Sequence, residues 1–297
     1  MMPYVRPPRR VIRVDDIDVA SFVGEEVNAD ARTVSSFGEE WTRFSSFTDE
    51  ETRLAGDEIF DLLTPDMAHA GTVALDIGCG TGRWSRYLAP RVKFVEAVDP
   101  SDAVRAAVRL TRALGNIRVT QAGYGGLPFR PGAFDLVFSI GVVHHVPDTE
   151  LAIREAAAMV KPGGWLLLYV YYDLDNRGAA YRALLPIADA CRRLVSRLPS
   201  RIKFAVCDIL AVTVYLPLVG LARIVRLAGP RAWTNVPLAY YVDKPWKIIR
   251  NDSLDRFGTP LEKRFSRKNL QRMLERAGLT GIRFSDRQPY WHVVARR

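Results

Sequence analysis

Three glycines at alternate positions, Gly78, Gly80 and Gly82, follow an apolar run that contains the acid Asp76. A second acid, Asp99, ends the next apolar run and is followed by Pro100. Glycines at this spacing let a chain turn sharply and bring its backbone close to a ligand that any Cβ would hold off. A carboxylate at the end of the following strand can accept both hydroxyls of a ribose. The two features predict a nucleoside pocket at the first crossover of a parallel α/β sheet. A dinucleotide fingerprint needs G-x-G-x-x-G, whereas here Arg83 stands in place of the third glycine. The turn also lacks the Lys-Ser/Thr pair of a phosphate loop, so a nucleoside without a pyrophosphate fits better. Cys79 sits inside the turn, where a small side chain is wanted for packing.

The elements that must hold this turn can be read on either side of it. Strands are expected at 72–77, 92–98, 117–122, 135–140 and 165–171, with helices at 82–89, 101–114 and 148–160 between them. Ser101 is a candidate cap for the second of these helices and Asp148 for the third. An amphipathic helix over 50–64 precedes the first strand. A further helix, 266–277, has Ser266 as its cap, and strands near 280–285 and 290–296 form a hairpin around Pro289. Strand and helix alternate, which predicts an α/β, doubly wound Rossmann-like sheet. The expected organisation is a flexible arm (1–35), lid helices (36–71), a nucleoside-binding core (72–176), a helical cap (177–250) and a C-terminal completion of the sheet (251–297).

Composition sets limits on class. The chain has 297 residues, 48% hydrophobic and 25% charged, as in an ordinary soluble protein. Its three cysteines are far apart, which gives neither a disulfide framework nor a zinc spacing and suits a reducing cytoplasm. Residues 1–14 are rich in Pro and Arg without the apolar core of a secretory leader. The net charge is +9, and residues 177–231 hold ten Arg/Lys against two acids, or +8 of it. One segment therefore carries the basic character, which bears on partners rather than on fold.

Further along, Leu-Pro-Phe-Arg-Pro-Gly-Ala-Phe-Asp (127–135), Ser-Ile-Gly-Val-Val-His-His-Val-Pro-Asp (139–148) and Val-Lys-Pro-Gly-Gly-Trp (160–165) complete a set of motifs. With the glycine turn and Asp99, these resemble the small-molecule branch (type 11) of the class I S-adenosyl-L-methionine (SAM) methyltransferases over residues 72–172. Ser-Phe-Gly-Glu-Glu-Trp-Thr-Arg-Phe (36–44) looks like a lid signature of one subgroup, and 254–262 and Pro-Tyr-Trp (289–291) look like the same subgroup. The resemblance implies a seven-stranded sheet with its last strand antiparallel, and SAM as cofactor, with S-adenosyl-L-homocysteine (SAH) as product. It implies cofactor contacts from Asp76, Gly78, Cys79, Gly80, Gly82, Asp99, Pro100 and Ile140, and from Phe37 and Trp41 of the lid. Relatives of this kind carry an acid for the adenine amino group where this chain has Gly123. Adenine recognition then falls to backbone groups of Ala122 and Gly123, with Tyr124 either stacking or only covering the sheet edge.

Methyl transfer from a sulfonium needs in-line placement and removal of the acceptor's proton, and little else. Ligands of open α/β sheets lie beyond the carboxyl ends of the strands. His144 and His145 fall there and are candidate bases, a structural role for either remaining open. Tyr171 and Tyr172 end the fifth strand, one expected inward and the other outward. Asp255 and Arg256 are candidate acceptor contacts from a loop before the last helix. No Asp/Asn-Pro-Pro-Tyr, no Pro-Cys nucleophile and no acidic metal cluster is present, which disfavours amide-nitrogen, cytosine-C5 and magnesium-dependent catechol chemistry; no metal is expected.

Residues 209–222 are almost wholly apolar, and fourteen residues interrupted by Pro217 fall short of a membrane span. They fit a cap packed on its own domain or on a second subunit, or a surface-seeking element whose flanking arginines meet anionic headgroups. The reading is a cytoplasmic methyltransferase acting on a small or lipid-like acceptor, at oxygen first and carbon second, with peripheral membrane contact through 177–231. The alternatives are a nucleic-acid methyltransferase, against which the basic segment lacks an aromatic stacking platform, and a non-catalytic partner protein of the same fold.

Overall fold

The computed structural model describes residues 1–24, 28–44, 47–175, 178, 182–229, 232–287 and 291–297. Arg177, Arg231 and the expected turn at Pro289 lie outside the described residues. In chain order the elements are β1 (Arg10–Val14), β2 (Ile17–Ser21), α1 (Ala31–Arg43), α2 (Asp49–Ile59), β3 (Val73–Ile77), α3 (Arg83–Leu88), β4 (Phe94–Asp99), α4 (Val104–Thr111) and β5 (Ile117–Gln121). There follow β6 (Phe134–Ile140), α5 (Thr149–Met159), β7 (Val160–Tyr169), α6 (Leu184–Val195), α7 (Ser200–Leu210), α8 (Leu216–Ala228), α9 (Trp246–Gly258), α10 (Arg267–Arg276), β8 (Thr280–Phe284) and β9 (His292–Arg296). They divide into two compact units, Met1–Asp173 with Leu261–Arg297, and Leu174–Pro260. Residues 251–260, expected with the sheet, thus belong to the second unit.

The first unit is built on one sheet of order β1-β2-β5-β4-β3-β6-β7-β9-β8. Strands β3 to β7 are parallel, and β9 runs antiparallel to both β7 and β8. Strand order reverses beside β3, which lies between β4 and β6, and this is the point at which doubly wound sheets open a crevice. The strands are apolar because both faces are covered: Leu75, Val98, Val137 and Leu168 pack on one side, and Ala74, Val95, Leu136 and Leu167 on the other.

The sheet has nine strands, not the seven expected. The excess is the hairpin β1/β2, in the stretch read from its Pro and Arg content as a flexible arm. Asp15 adopts φ 53° in its turn, a conformation that Asp tolerates better than most residues. Ile12, Val14 and Val19 alternate inward, and β2 joins the β5 edge through Ser21 opposite Gln121. The chain before it is also tied down. The Met2 amide donates to Glu96 Oε1 at 2.7 Å, Arg118 pairs with the same buried carboxylate at 2.8 Å, and the Tyr4 ring packs edge-on against Phe22. The hairpin's alternation is only two or three residues deep per strand, too short to stand out against its neighbours.

Three local expectations can be compared with the caps. Asp148 and Ser266 cap α5 and α10 by accepting from Leu151 and Asn269. Ser101 is not the N-cap of α4, which begins only at Val104; its hydroxyl donates to Asp99 at 2.6 Å and accepts from the Ala103 amide at 3.1 Å.

The second unit is helical. Its α7 continues through a π-helical turn, Ala211–Tyr215, into α8, so that Ser200–Ala228 is one run of 29 residues. Pro217 would clash with the carbonyl four residues earlier in a regular helix, and the wider turn just ahead of it lets the helix continue. The apolar segment 209–222, expected to fall short of a membrane span, is thus part of a helix long and apolar enough to cross one by length and composition. The Arg250 guanidinium pairs with Asp208 at 2.7 Å, Ser253 Oγ donates to the Cys207 carbonyl, and Tyr241 donates to Asp252, which fixes α9 against this helix. Asp255 and Arg256 lie on α9 rather than in a loop.

In the first unit α2 meets α3 at Gly56, where a Cβ would stand 2.2 Å from the Tyr87 ring. Gly56→Ala is expected to destabilise the protein by about 1–3 kcal/mol through overpacking, read as a lower unfolding midpoint in urea; an unchanged midpoint would contradict this packing.

Candidate functional site

The chain leaves β3 through Gly78, Gly80 and Gly82, all at positive φ (79°, 53° and 79°). Two of these glycines also answer to close neighbours. A Cβ on Gly78 would lie 2.4 Å from Val142, and one on Gly80 would lie 3.2 Å from the indole nitrogen of Trp41. The turn is therefore thin enough for residues from the β6 loop and from α1 to close on it. The Gly80 amide donates to Asp99 Oδ2 at 2.9 Å, while Asp99 Oδ1 accepts from the Ser101 amide and hydroxyl. Asp99 is thus aimed by the same turn it serves. Burial pushes its carboxyl up, and these three donors work against that shift.

Around this turn lies a cleft of about 900 Å³. Its floor includes Gly78, Cys79, Gly80, Asp99 and Pro100, and its far wall Gly123, Tyr124 and Ile140. The α1 helix forms the roof with Phe37 and Trp41, and His145 stands at the β6 side. Eleven of the seventeen residues expected to touch cofactor or do chemistry in the first unit line this one space. The others are Asp76, Gly82, Ala122, His144, Tyr171 and Tyr172, which are absent from the lining.

Asp76 is fully buried beneath the turn, with Oδ2 accepting from Ser85 Oγ at 2.6 Å and no partner for Oδ1 among the described residues. Burial pushes its carboxyl up to about 7, and Asp99 nearby adds to the shift. Burial likewise keeps the Cys79 thiol protonated, in line with a packing role. Tyr124 is buried, its hydroxyl raised by burial and unpartnered among the described residues. The Ala122 amide is already bound to the Asp99 carbonyl and the Gly123 carbonyl accepts from Gly126, so both backbone groups are partly engaged.

The two histidines differ. His145 Nδ1 lies 2.7 Å from the Leu261 carbonyl, which can only accept, so Nδ1 carries the proton and Nε2 the lone pair. Its ring meets Phe37 edge-on at 4.8 Å. His144 is the reverse: its Nδ1 faces the Tyr171 amide at 3.4 Å, which assigns the proton to Nε2. It is completely buried and stacked on Tyr171 at 4.0 Å, and burial holds it well below the usual imidazole range, hence neutral. Tyr171 lies on the histidine side and Tyr172 against Trp291, the opposite orientations expected of neighbours at a strand end.

Asn28, Asp30 and Thr33 also line the cleft and were not anticipated. Asn28 clasps the backbone of Asp148 through two hydrogen bonds of 2.6 and 2.7 Å, and Asp30 caps α1 by accepting from Thr33. Asp30 followed by Thr33 ahead of the Phe37/Trp41 helix is a capping pattern that could have located them. Arg83 lines the cleft as well, its guanidinium over the Trp84 and Phe47 rings at 4.0 and 4.5 Å. Among the described residues no group of three or more His, Cys, Asp or Glu is disposed to hold a metal.

A thin turn, a buried carboxylate at the end of β4, an aromatic roof and two unpartnered buried oxygens beside the cleft suit an adenosine carrying a cationic tail. Comparison with known proteins agrees. Residues 75–168 match a family model described as a methyltransferase domain. They form a class I SAM-dependent methyltransferase domain, with SAM as the cofactor of its class. An uncharacterized methyltransferase of Mycobacterium tuberculosis is 33% identical over 123 residues, 41% of this chain and 62% of the relative. The ubiquinone biosynthesis O-methyltransferase of Azotobacter vinelandii is 33% identical over 132 residues, 43% of this chain and 55% of that protein. The solved YcgJ protein of Bacillus subtilis is 24% identical over 46% of this chain and 58% of its own, with a TM-score of 0.40. The chain spans 62% or less of the length of these relatives.

Two predictions follow from the acids. Asp99→Ala is expected to weaken SAH binding by about 2–3 kcal/mol, the loss of charge-assisted hydrogen bonds to a buried partner; calorimetric titration giving an unchanged dissociation constant would remove Asp99 from the ribose. Asp76 has its ordinary value at 3.8 in an unfolded chain and about 7 when folded. Between those values only the folded protein holds the proton, so this group makes stability fall as pH rises from about 4 to 7 and adds no slope above that. Asp76→Asn is expected to flatten the stability profile in that window alone, as measured by urea unfolding; a difference confined to pH above 8 would contradict the assignment.

Proposed function

We propose that the protein transfers a methyl group from SAM to the hydroxyl of a small or lipid-like acceptor, with a carbon acceptor as the second choice. The observation that carries this reading is that Asp99 and His145 line one and the same cleft. The named activity of the Azotobacter vinelandii relative, O-methylation in ubiquinone biosynthesis, supports a quinol-like hydroxyl as acceptor.

SAM, when bound, supplies a methyl group already activated by its sulfonium. The chain's own work is placement and proton removal. Asp99 holds the ribose hydroxyls, and the glycine turn brings backbone N–H groups close without obstructing the ligand. Phe37 and Trp41 shield the cleft from water, which strengthens every polar contact inside it. Arg83, held over two aromatic rings, supplies a positive charge for the carboxylate of the methionine tail. Asp76 lies beneath the turn and supports it through Ser85, while Tyr124 contributes its ring to the wall.

On the acceptor side, His145 Nε2 takes the hydroxyl proton while the Leu261 carbonyl holds the resulting imidazolium by its Nδ1–H. His144 acts through position only: buried, neutral and stacked, it sets the plane of Tyr171 beside His145. The site is read as working in the cytoplasm, with residues 177–231 in peripheral contact with the inner membrane surface.

His145→Ala is expected to lower methyl-transfer turnover on a quinol acceptor by about a hundredfold or more, with SAH affinity nearly unchanged. Loss of SAH affinity at preserved turnover would make His145 a cofactor contact and not a base.

A further inference from the structure

The apolar helix of the second unit has one face accounted for. Lys203, Cys207, Ala211, Tyr215, Val219 and Ala222 form a buried stripe at helical spacing. Hydrogen bonds from Ser253 to the Cys207 carbonyl and from Tyr215 to the Asp252 carbonyl lie along it. A helix that buries one stripe in a protein in water presents polar residues on the remainder. This one does not. Ile209, Val212, Leu216, Leu221, Ile224 and Leu227 are exposed, Leu227 by 90%, and of the most apolar 18-residue stretch only 22% is buried.

Charge decides what covers this face. Residues 209–222 contain no charged side chain, and arginines stand at both ends: Arg197 and Arg201 before it, and after it Arg223, which donates to the Val242 carbonyl, and Arg226, which pairs with Asp243. A second copy of the same helix would bring arginines against arginines whether the two packed parallel or antiparallel, because both ends are cationic. A lipid surface carrying anionic headgroups meets both ends with opposite charge and the middle with acyl chain.

Packing decides the orientation, because Ser200–Ala228 is by length and composition long and apolar enough to cross a membrane. The buried stripe is occupied by the unit's own α9, so lipid cannot surround the helix. We infer that the exposed face of Ser200–Ala228 lies in the plane of an anionic membrane surface, apolar side chains dipped below the headgroups and the four arginines among them. This extends the peripheral contact proposed above and rests on that reading, giving it a face, an orientation and a lipid charge. A lipid-like acceptor would then be met where it resides.

The test is flotation of the full chain with vesicles of phosphatidylcholine alone and of phosphatidylcholine with phosphatidylglycerol. The expected result is binding more than about tenfold stronger to the anionic vesicles, weakening with salt. The double variants Ile209→Asp/Leu216→Asp and Arg197→Glu/Arg201→Glu should each lose that binding while keeping wild-type affinity for SAH, which reports an intact first unit. No vesicle binding by the wild-type chain would overturn the inference and leave methyl transfer standing; vesicle binding without SAH binding would do the reverse. Equal binding to neutral and anionic vesicles would overturn the role of the arginines. If Ile209→Asp/Leu216→Asp turned a dimer into a monomer in light scattering and left vesicle binding unchanged, the face would belong to a second copy.

Discussion

The turn that follows β3 can close only because it is thin. With three glycines at positive φ it lets Val142 press on one side and Trp41 on the other, and its Gly80 amide reaches across to the carboxylate of Asp99. That last hydrogen bond links the ends of two neighbouring strands, β3 and β4, at the place where strand order reverses. The floor of the cleft, the direction of Asp99 and the seat of the α1 roof all depend on it. A side chain at Gly78 or Gly80 would strain the backbone and displace the cover together.

Burying acids beneath such a turn has consequences for the rest of the unit. Asp99 lies close enough to raise the proton affinity of Asp76, and Ser85 and the Ser101 hydroxyl and amide offset only part of the desolvation of the two acids. A cationic group beside Asp99 would favour its charged form. The histidines at the opposite wall divide in a comparable way: the same two ring nitrogens carry opposite protonation in neighbouring residues, according to whether each Nδ1 meets a carbonyl or an amide.

How much of this could be read from sequence depended on whether the signal was local. The glycine turn, Asp99 and the parallel strands were legible because their spacing is local, while Phe37 and Trp41 were placed by the resemblance of 36–44 to a lid segment. The hairpin at 10–21 was not, since its alternation is brief and lies within a Pro- and Arg-rich stretch. Ser101 was misread because the helix starts later than its position suggests: its hydroxyl accepts from the Ala103 amide ahead of the first turn while donating to Asp99. The segment 209–222, interrupted by Pro217, was read as too short for a membrane span, whereas a π turn joins it to its flanks in one run of 29 residues. The contribution of Asn28 depended on Asp148, 120 positions away, and no local pattern encodes that.

The central claim is that this cleft is built for adenosine with its ribose on Asp99 and its sulfur toward His145. A crystal structure of the protein with SAH tests it most directly. The account predicts both ribose hydroxyls within hydrogen-bonding distance of Asp99, adenine between Pro100 and Tyr124, and sulfur on the His145 side. SAH bound elsewhere, or bound here with its ribose turned away from Asp99, would contradict it.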